Sequence, residues 1–286
     1  MRIVKEDQDN NVIIVTWDFT HVSEYALAHA VKIANIMKYE IKLLHIVKVG
    51  AHSEKIEDAR SKMSLVCDET IKQSGVVCKV VVKEGKLYST IADYATHSDT
   101  KLVVMGTHGR RGLQKIFGSK ALKVLVGSNS PFIVVKAKPS DNLKISNVVF
   151  PIDFKSENKE TLQWAIYIGL NFQSKVYLFK YPVSDSDLQK KVNTNLNFAI
   201  RYLKQYNIEY EIHTAQQSSG FTKATINYAE SINADMIIVM TTKFITSFDY
   251  IFGAKEQSII DNQAKIPVLC VNPRVGFAEV NQYLYL

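Results

Sequence analysis

A glycine-rich segment at residues 106–119 holds the residues best suited to chemistry in this chain. It reads GTHGRRGLQKIFGS and follows the apolar run Leu102–Met105, which has the character of a buried strand. Leu122, Leu125 and Val126 follow at helical spacing, so the segment joins the end of a strand to the start of a helix. Glycines let a backbone approach a ligand closely, and the free N–H groups of a first helical turn attract anions. The segment therefore predicts a phosphate-binding loop.

The spacing within this segment excludes two common phosphate loops. A Walker loop closes with Gly-Lys-Ser/Thr and a dinucleotide fingerprint has the spacing G-x-G-x-x-G, and the segment has neither. Basic residues lie in or beside it, namely Arg110, Arg111, Lys115, Lys120 and Lys123. Guanidinium and ammonium groups pair with phosphate oxygens, and the alternative for each is a solvated side chain at a loop tip. The solvated alternative is favoured for Arg111, whereas Arg110 and Lys120 are kept as candidate phosphate ligands.

The same segment resembles the universal stress protein family. Nucleotide-binding members of that family carry Gly-x2-Gly-x9-Gly-Ser/Thr at this place, and Gly106, Gly109, Gly118 and Ser119 match the motif. Eight residues separate Gly109 from Gly118, so the loop is one residue shorter than the family pattern. A shorter loop can still close around a phosphate, or it can reshape the pocket, and the sequence leaves both outcomes open.

The resemblance assigns further residues to a nucleotide site. It implies that Asp18, just after the apolar run Val12–Thr16, contacts the sugar side of a nucleotide; a turn or helix cap is the alternative for an aspartate there. Ile46 matches the family's apolar residue against adenine, although its pattern alone predicts core. Thr16 stands in the pocket wall where relatives often have proline. Met105 precedes the first glycine, as it often does in the family.

An internal repeat sets the domain organisation. Val12–Asp18 is echoed by Asn147–Asp153, with the two aspartates 135 positions apart, and Gly118 is echoed by Gly253. Further short segments of the first copy recur in the second in the same order, separated by nearly the same number of residues. The chain therefore reads as two copies of one domain, residues 1–140 and residues 141–286, each long enough to bury its own core.

Strand and helix patterns alternate within each copy and predict an α/β fold. Nearly all-apolar strands separated by helices indicate a five-stranded parallel sheet covered on both faces, of the Rossmann-like type. Ligands of such sheets bind beyond the carboxyl ends of the strands, where Asp18 and the glycine loop both fall. The resemblance implies a pseudo-twofold relation between the copies. It makes Phe132–Val135 and Val268–Val271, the fifth strands, the expected contact between them.

The second copy has lost the features of a nucleotide loop. Met240, Thr241, Thr242 and Lys243 replace the Gly-x2-Gly start, and Ala254 rather than Ser or Thr follows the surviving glycine. Residues 244–252 carry bulky apolar and aromatic side chains where a phosphate would lie. This copy is expected to be degenerate for nucleotide binding. Packing of its loop against the other half is favoured over binding of a protein partner or an apolar ligand.

Composition narrows the class of protein. The chain has 286 residues, 47% hydrophobic and 22% charged, which is typical of a globular protein. It shows no membrane-length apolar stretch and no signal-peptide pattern, and its three cysteines lack metal spacing, so a cytoplasmic setting is expected. The net charge of +7 is spread over both halves and predicts no nucleic-acid binding. The seven histidines form neither H-x3-H nor HExxH, so no metal site is predicted.

The leading functional prediction follows from the resemblance. It implies ATP or a related adenine nucleotide, with or without Mg²⁺, bound by the first half of a stress-response regulator. Two alternatives stay open: a nucleotide-free protein-interaction module and a slow ATP hydrolase. His108 lies between glycines without a recognisable nucleophile or carboxylate beside it in the sequence, so no catalytic residue is predicted. The expected assembly is an intramolecular pseudo-dimer, with a homodimer as a further option.

Overall fold

Strands and helices alternate along the described part of the chain. The computed structural model describes residues 11–97, 99–107, 130–140, 144–154, 158–216, 220–240 and 258–271. The first half contains β1 (Val12–Thr16), α1 (His21–Met37), β2 (Glu40–Val47), α2 (Ser53–Ser74), β3 (Cys78–Glu84), α3 (Leu87–His97), β4 (Thr100–Gly106) and β5 (Phe132–Val135). The second half contains β6 (Asn147–Ile152), α4 (Asn158–Phe172), β7 (Lys175–Lys180), α5 (Ser186–Gln205), β8 (Tyr210–Thr214), α6 (Phe221–Ser231), β9 (Met236–Met240) and β10 (Val268–Val271).

Local sequence signals account for most of these boundaries. The strand β1 is apolar throughout, and four of its five residues are buried. The helix α2 stops at Gly75, whose φ of 72° is left-handed, a conformation that costs glycine little. β1 and β5 have the bounds of the apolar runs that the sequence predicts as strands, and β4 extends the run Leu102–Met105 by two residues at its start and one at its end.

The ten strands form one sheet with a single antiparallel pairing. Its order is β3-β2-β1-β4-β5-β10-β9-β6-β7-β8, so the five parallel strands of one half meet the five of the other at the centre. There β5 and β10 run antiparallel, with Val134 opposite Val268 and Phe132 opposite Cys270. The predicted fold class is confirmed, and so is the predicted pairing of the two fifth strands.

The core lies on both faces of this sheet and continues across the central pair. Ile13 and Val15 of β1 face the same side as α1 and α2, whereas Val12 and Ile14 face the side of α3. Both hydrophobic clusters contain buried residues of both halves. None of the described helices is long and apolar enough to cross a membrane.

Polar contacts also join the halves. The ammonium group of Lys136, just after β5, lies 2.7 Å from Oδ1 of Asp261 and donates to the main-chain carbonyls of Asp261 and Asn262 as well. The hydroxyl of Tyr39, after α1, forms a hydrogen bond with the hydroxyl of Tyr167 on α4. These contacts and the central strand pair hold the first half against the second.

Candidate functional site

A cavity of about 770 Å³ lies at the carboxyl ends of β1, β2 and β4 in the first half. In the order β3-β2-β1-β4-β5, the chain places β2 and β3 on one side of β1 and β4 and β5 on the other. Doubly wound sheets bind ligands at such a switch point, which here lies between β1 and β4. Apolar side chains make much of its wall, and it has the size of a small-molecule site. The described lining residues are Thr16, Trp17, Asp18, Ser23, Leu44, His45, Ile46, Val47, Lys48, Val49, Gly85, Lys86, Leu87, Tyr88, Ile91, Met105 and Gly106.

Five of the ten residues that the sequence assigns to a nucleotide site line this one cavity. They are Thr16, Asp18, Ile46, Met105 and Gly106. They lie in or just after β1, β2 and β4, three strands that are distant in the chain and adjacent in the sheet. The other five, Gly109, Arg110, Gly118, Ser119 and Lys120, lie outside the described residues, as do the second-half loop residues 244–252 and Gly253.

Asp18 is a turn residue at the wall of the cavity. Its Oδ1 atom accepts hydrogen bonds from the main-chain N–H of Thr20, at 3.1 Å, and from the Thr20 hydroxyl. Thr20, not Asp18, occupies the N-cap position of α1. Asp18 is therefore a turn residue and not a helix cap, the two structural roles that the sequence allows for it. The turn fixes the carboxylate beside the cavity, which is compatible with a sugar contact.

Gly106 has a packing role that the sequence analysis does not anticipate. A Cβ at this position would lie 2.0 Å from the main-chain carbonyl oxygen of Val22 in the first turn of α1. Glycine therefore lets α1 sit directly against the end of β4. Its φ is not in the left-handed region, so the requirement is for space. The backbone that comes close to Gly106 in this structure is that of the helix α1.

The helix α3 supplies a wall that the sequence analysis misses. Tyr88 is half-buried and Ile91 is 2% exposed, and both line the cavity opposite Met105 and Ile46 of the strands. The signal in the sequence is the spacing of three between Tyr88 and Ile91, which puts them on one helical face. Leu44, two residues before Ile46 on β2, completes this apolar surface.

Charged and aromatic groups surround the mouth of the cavity. Lys48 after β2 and Lys86 before α3 are exposed lining residues, and the carboxylate of Asp18 lies on the β1 side. The ring of His45 binds through Nδ1 to the carbonyl of Trp17 at 2.8 Å. A carbonyl only accepts, so Nδ1 carries the proton. The Phe19 ring packs edge-on against His45, with centroids 4.9 Å apart.

Aromatic rings of the second half pack against one another at the positions that correspond to the cavity wall of the first half. The strand register puts Phe179 opposite Pro151, as Leu44 lies opposite Thr16, so Phe179 is the counterpart of Leu44 and Tyr181 that of Ile46. Phe179 stacks on Phe221 of α6 at 5.7 Å and on Tyr228 at 4.7 Å. Tyr181 packs edge-on against Phe221 at 4.9 Å. Large rings thus occupy the positions where the first half has aliphatic cavity walls.

The sheet order and the helices on both faces define a doubly wound α/β protein, with a cavity at the switch point of the sheet. Residues 10–136 match the model of the universal stress protein family. Residues 10–136 are therefore a universal stress protein domain, and the predicted family is confirmed for this half of the chain.

Known relatives agree with this assignment. Two universal stress proteins of Methanocaldococcus jannaschii are 27% identical over 137 residues and 25% identical over 156 residues. The first alignment covers 43% of this chain and 81% of the relative, the second 45% and 96%. A universal stress protein structure from Archaeoglobus fulgidus has a TM-score of 0.76 at 19% identity, covering 93% of this chain and 99% of its own. That last similarity extends the shared fold over both halves.

Proposed function

We propose that the first half of this protein binds an adenine nucleotide, with ATP as the leading ligand, in the cavity at the ends of β1, β2 and β4. One observation carries the proposal. The five described residues that the family resemblance assigns to the nucleotide site, Thr16, Asp18, Ile46, Met105 and Gly106, line a single cavity. Three segments that are far apart in the chain thus meet at the sheet edge where proteins of this fold bind their ligands.

The character of the walls supports a ligand with a flat apolar part and an anionic part. Leu44, Ile46, Tyr88 and Ile91 offer an apolar slot that suits a purine base. Asp18 beside the slot is an acceptor for ribose hydroxyl groups. β4 ends at the start of the glycine-rich segment, and N–H groups of the helix that the sequence predicts after it would hold phosphates. Mg²⁺ would then accompany ATP through its phosphates, as it commonly does in phosphate sites.

We assign the protein a regulatory role, in which the nucleotide is bound and released rather than turned over. The described lining residues include a carboxylate, Asp18, that is already engaged in the turn with Thr20. We place the protein in the cytoplasm and read its two halves, residues 1–140 and residues 141–286, as one site-bearing domain and one degenerate domain. The stacked rings of Phe179, Phe221 and Tyr228 support the second assignment.

Calorimetric titration with ATP tests the proposal. The full chain should bind ATP with micromolar affinity and saturate near one nucleotide per chain. Gly109→Val and Gly118→Val should each abolish binding, because a branched side chain obstructs a loop that must approach phosphate closely. Gly253→Val, at the matching position of the second half, is the control and should leave affinity unchanged. Two equivalent sites per chain, or full affinity in both loop variants, would contradict the proposal.

A further inference from the structure

Phe19 holds an unusual backbone conformation at the edge of the candidate site. It follows Asp18 directly, its φ is 63°, and its side chain is 42% exposed. Residues with a Cβ seldom adopt the left-handed region, and a bulky aromatic residue there is a genuine outlier. Such outliers concentrate at sites where a ligand or a switch uses the strain. The ring is held by edge contacts with His45 and, at 6.3 Å, with Trp17.

The second copy of the repeat contains a phenylalanine equivalent to Phe19. Phe154 follows Asp153 as Phe19 follows Asp18, and it is exposed to a similar extent, 38%. Its ring packs edge-on against Tyr181 at 6.0 Å. The described positive-φ residues of the second half other than glycine are Gln173, Asn207, Asn233 and Lys265, so Phe154 is not left-handed.

The two phenylalanines contact opposite sides of equivalent strands. Tyr181 is the counterpart of Ile46, a cavity wall residue, whereas the partner of Phe19 is His45, one residue earlier. Adjacent residues of a strand point to opposite faces of the sheet. In the second half the ring therefore packs on the counterpart of a cavity wall residue, whereas in the first half it packs at the cavity mouth on His45, one residue before the wall residue Ile46.

We propose that Phe19 is a ligand-contacting residue that leaves His45 and closes over the base of a bound nucleotide, taking the position that Phe154 takes against Tyr181. This inference rests on the proposed nucleotide site. Ile46 is aliphatic at the position where the second half has the Tyr181 ring, and the Phe19 ring packs on the neighbouring His45 instead, with a left-handed backbone. A bound purine supplies a flat aromatic surface beside Ile46, and closure relieves the backbone outlier at the same time.

The rate of ATP dissociation tests whether the Phe19 ring closes over the bound nucleotide. In the full chain, Phe19→Gly suits the left-handed backbone but removes the ring, and it should speed ATP dissociation at least tenfold. Phe19→Tyr keeps the ring and should retain the slow rate. The matched control Phe154→Gly should dissociate ATP as the unaltered protein does. An unaltered rate in Phe19→Gly, with a lowered melting temperature alone, would mean that the ring only supports the turn and would overturn the inference.

A ring label separates failure of this inference from failure of the proposed function. With p-fluorophenylalanine at position 19, fluorine NMR should show the ring signal shifting when ATP is added, and His45→Ala should move the ATP-free signal towards the same position. A signal that responds to neither ATP nor His45→Ala overturns the inference even if calorimetry shows binding. Absence of ATP binding in calorimetry refutes the proposed function, and the inference falls with it.

Discussion

At the scale of single residues, Gly106 shows how one position can serve the fold and the site together. Its missing side chain admits the Val22 carbonyl of α1 to the end of β4. The same residue lines the cavity and begins the glycine-rich segment. Because α1 follows directly from the turn that holds Asp18, the packing at Gly106 also sets how far Asp18 lies from β4.

Gly106→Ala should destabilise the protein by about 2–3 kcal/mol, because a methyl group 2.0 Å from a main-chain oxygen forces α1 away from the sheet. Denaturant unfolding of the full chain measures this free energy. Gly50→Ala is the control, since no atom lies within 4 Å of a Cβ there. Its φ of 78° should cost about 1 kcal/mol. Equal stability of Gly106→Ala and the unaltered protein would contradict the packing role.

At the scale of elements, the helix α1 is tied to the chain that leaves β5. His29, 5% exposed on α1, donates from Nε2 to the carbonyl of Ala137 at 3.1 Å. A carbonyl oxygen cannot donate, so this nitrogen carries the proton in the neutral ring. Burial lowers the pKa of His29 from 6.5 to about 4; the bond to Ala137 opposes that change, and the nearby Lys32 adds to it.

Stability should therefore fall as the pH falls from 6.5 to 4. The folded state keeps His29 neutral in that range while the unfolded chain takes up a proton, so this contribution is complete above pH 6.5 and is lost towards pH 4. The difference in pKa corresponds to about 3 kcal/mol. His29→Gln keeps an N–H donor but does not titrate, and should flatten this part of the profile. An unchanged slope between pH 7 and pH 4.5 in the variant would refute the assignment.

At the scale of the whole molecule, the two halves share one sheet and two continuous hydrophobic clusters. The antiparallel contact of β5 with β10 satisfies main-chain groups that would otherwise form an open sheet edge. Lys136 reinforces it by an ion pair with Asp261 in which both side chains are about nine-tenths buried. Separation of the halves would expose apolar surface and break this pair at once.

Lys136→Met should destabilise the full chain by about 3 kcal/mol, because it leaves the Asp261 carboxylate buried without its cation. Lys190→Met is the matched control: its partner Asp187 and Lys190 itself are 82% and 78% exposed, so the loss should be below about 1 kcal/mol. Asp261→Asn combined with Lys136→Met should recover part of the stability. Equal losses in the two single lysine variants, measured by denaturant unfolding, would show that burial of the Lys136 pair is unimportant.

Residues 1–140 expressed alone should form dimers. The edge of β5, whose Val134 pairs with Val268 in the full chain, would be left open and would recruit a second copy. Val134→Glu places a charge in this buried strand and should shift the fragment towards monomer. Small-angle scattering of the full chain should show one compact particle. A fragment that stays monomeric at high concentration would contradict the edge-pairing argument.

Local patterns in the sequence, with the family resemblance, were sufficient for many of the elements and for five of the residues that line the cavity. Apolar runs, helical spacing and Gly75 locate strands and helices because these signals act over a few residues. The repeat predicts two similar halves, and parallel strands bring Asp18, Ile46 and Met105 to one edge. Gly109, Gly118 and the other loop residues remain predictions.

What the tertiary structure decided depends on contacts between distant segments. Only the three-dimensional packing shows that Gly106 accommodates the carbonyl of Val22, because α1 is far from residue 106 along the chain. The same holds for the α3 wall of the cavity and for the stack of Phe179, Phe221 and Tyr228. The sequence by itself determined a repeated α/β fold and its family. The tertiary structure decided which side chains line the first-half cavity and which rings stack in the second half, since such contacts join residues that are far apart along the chain.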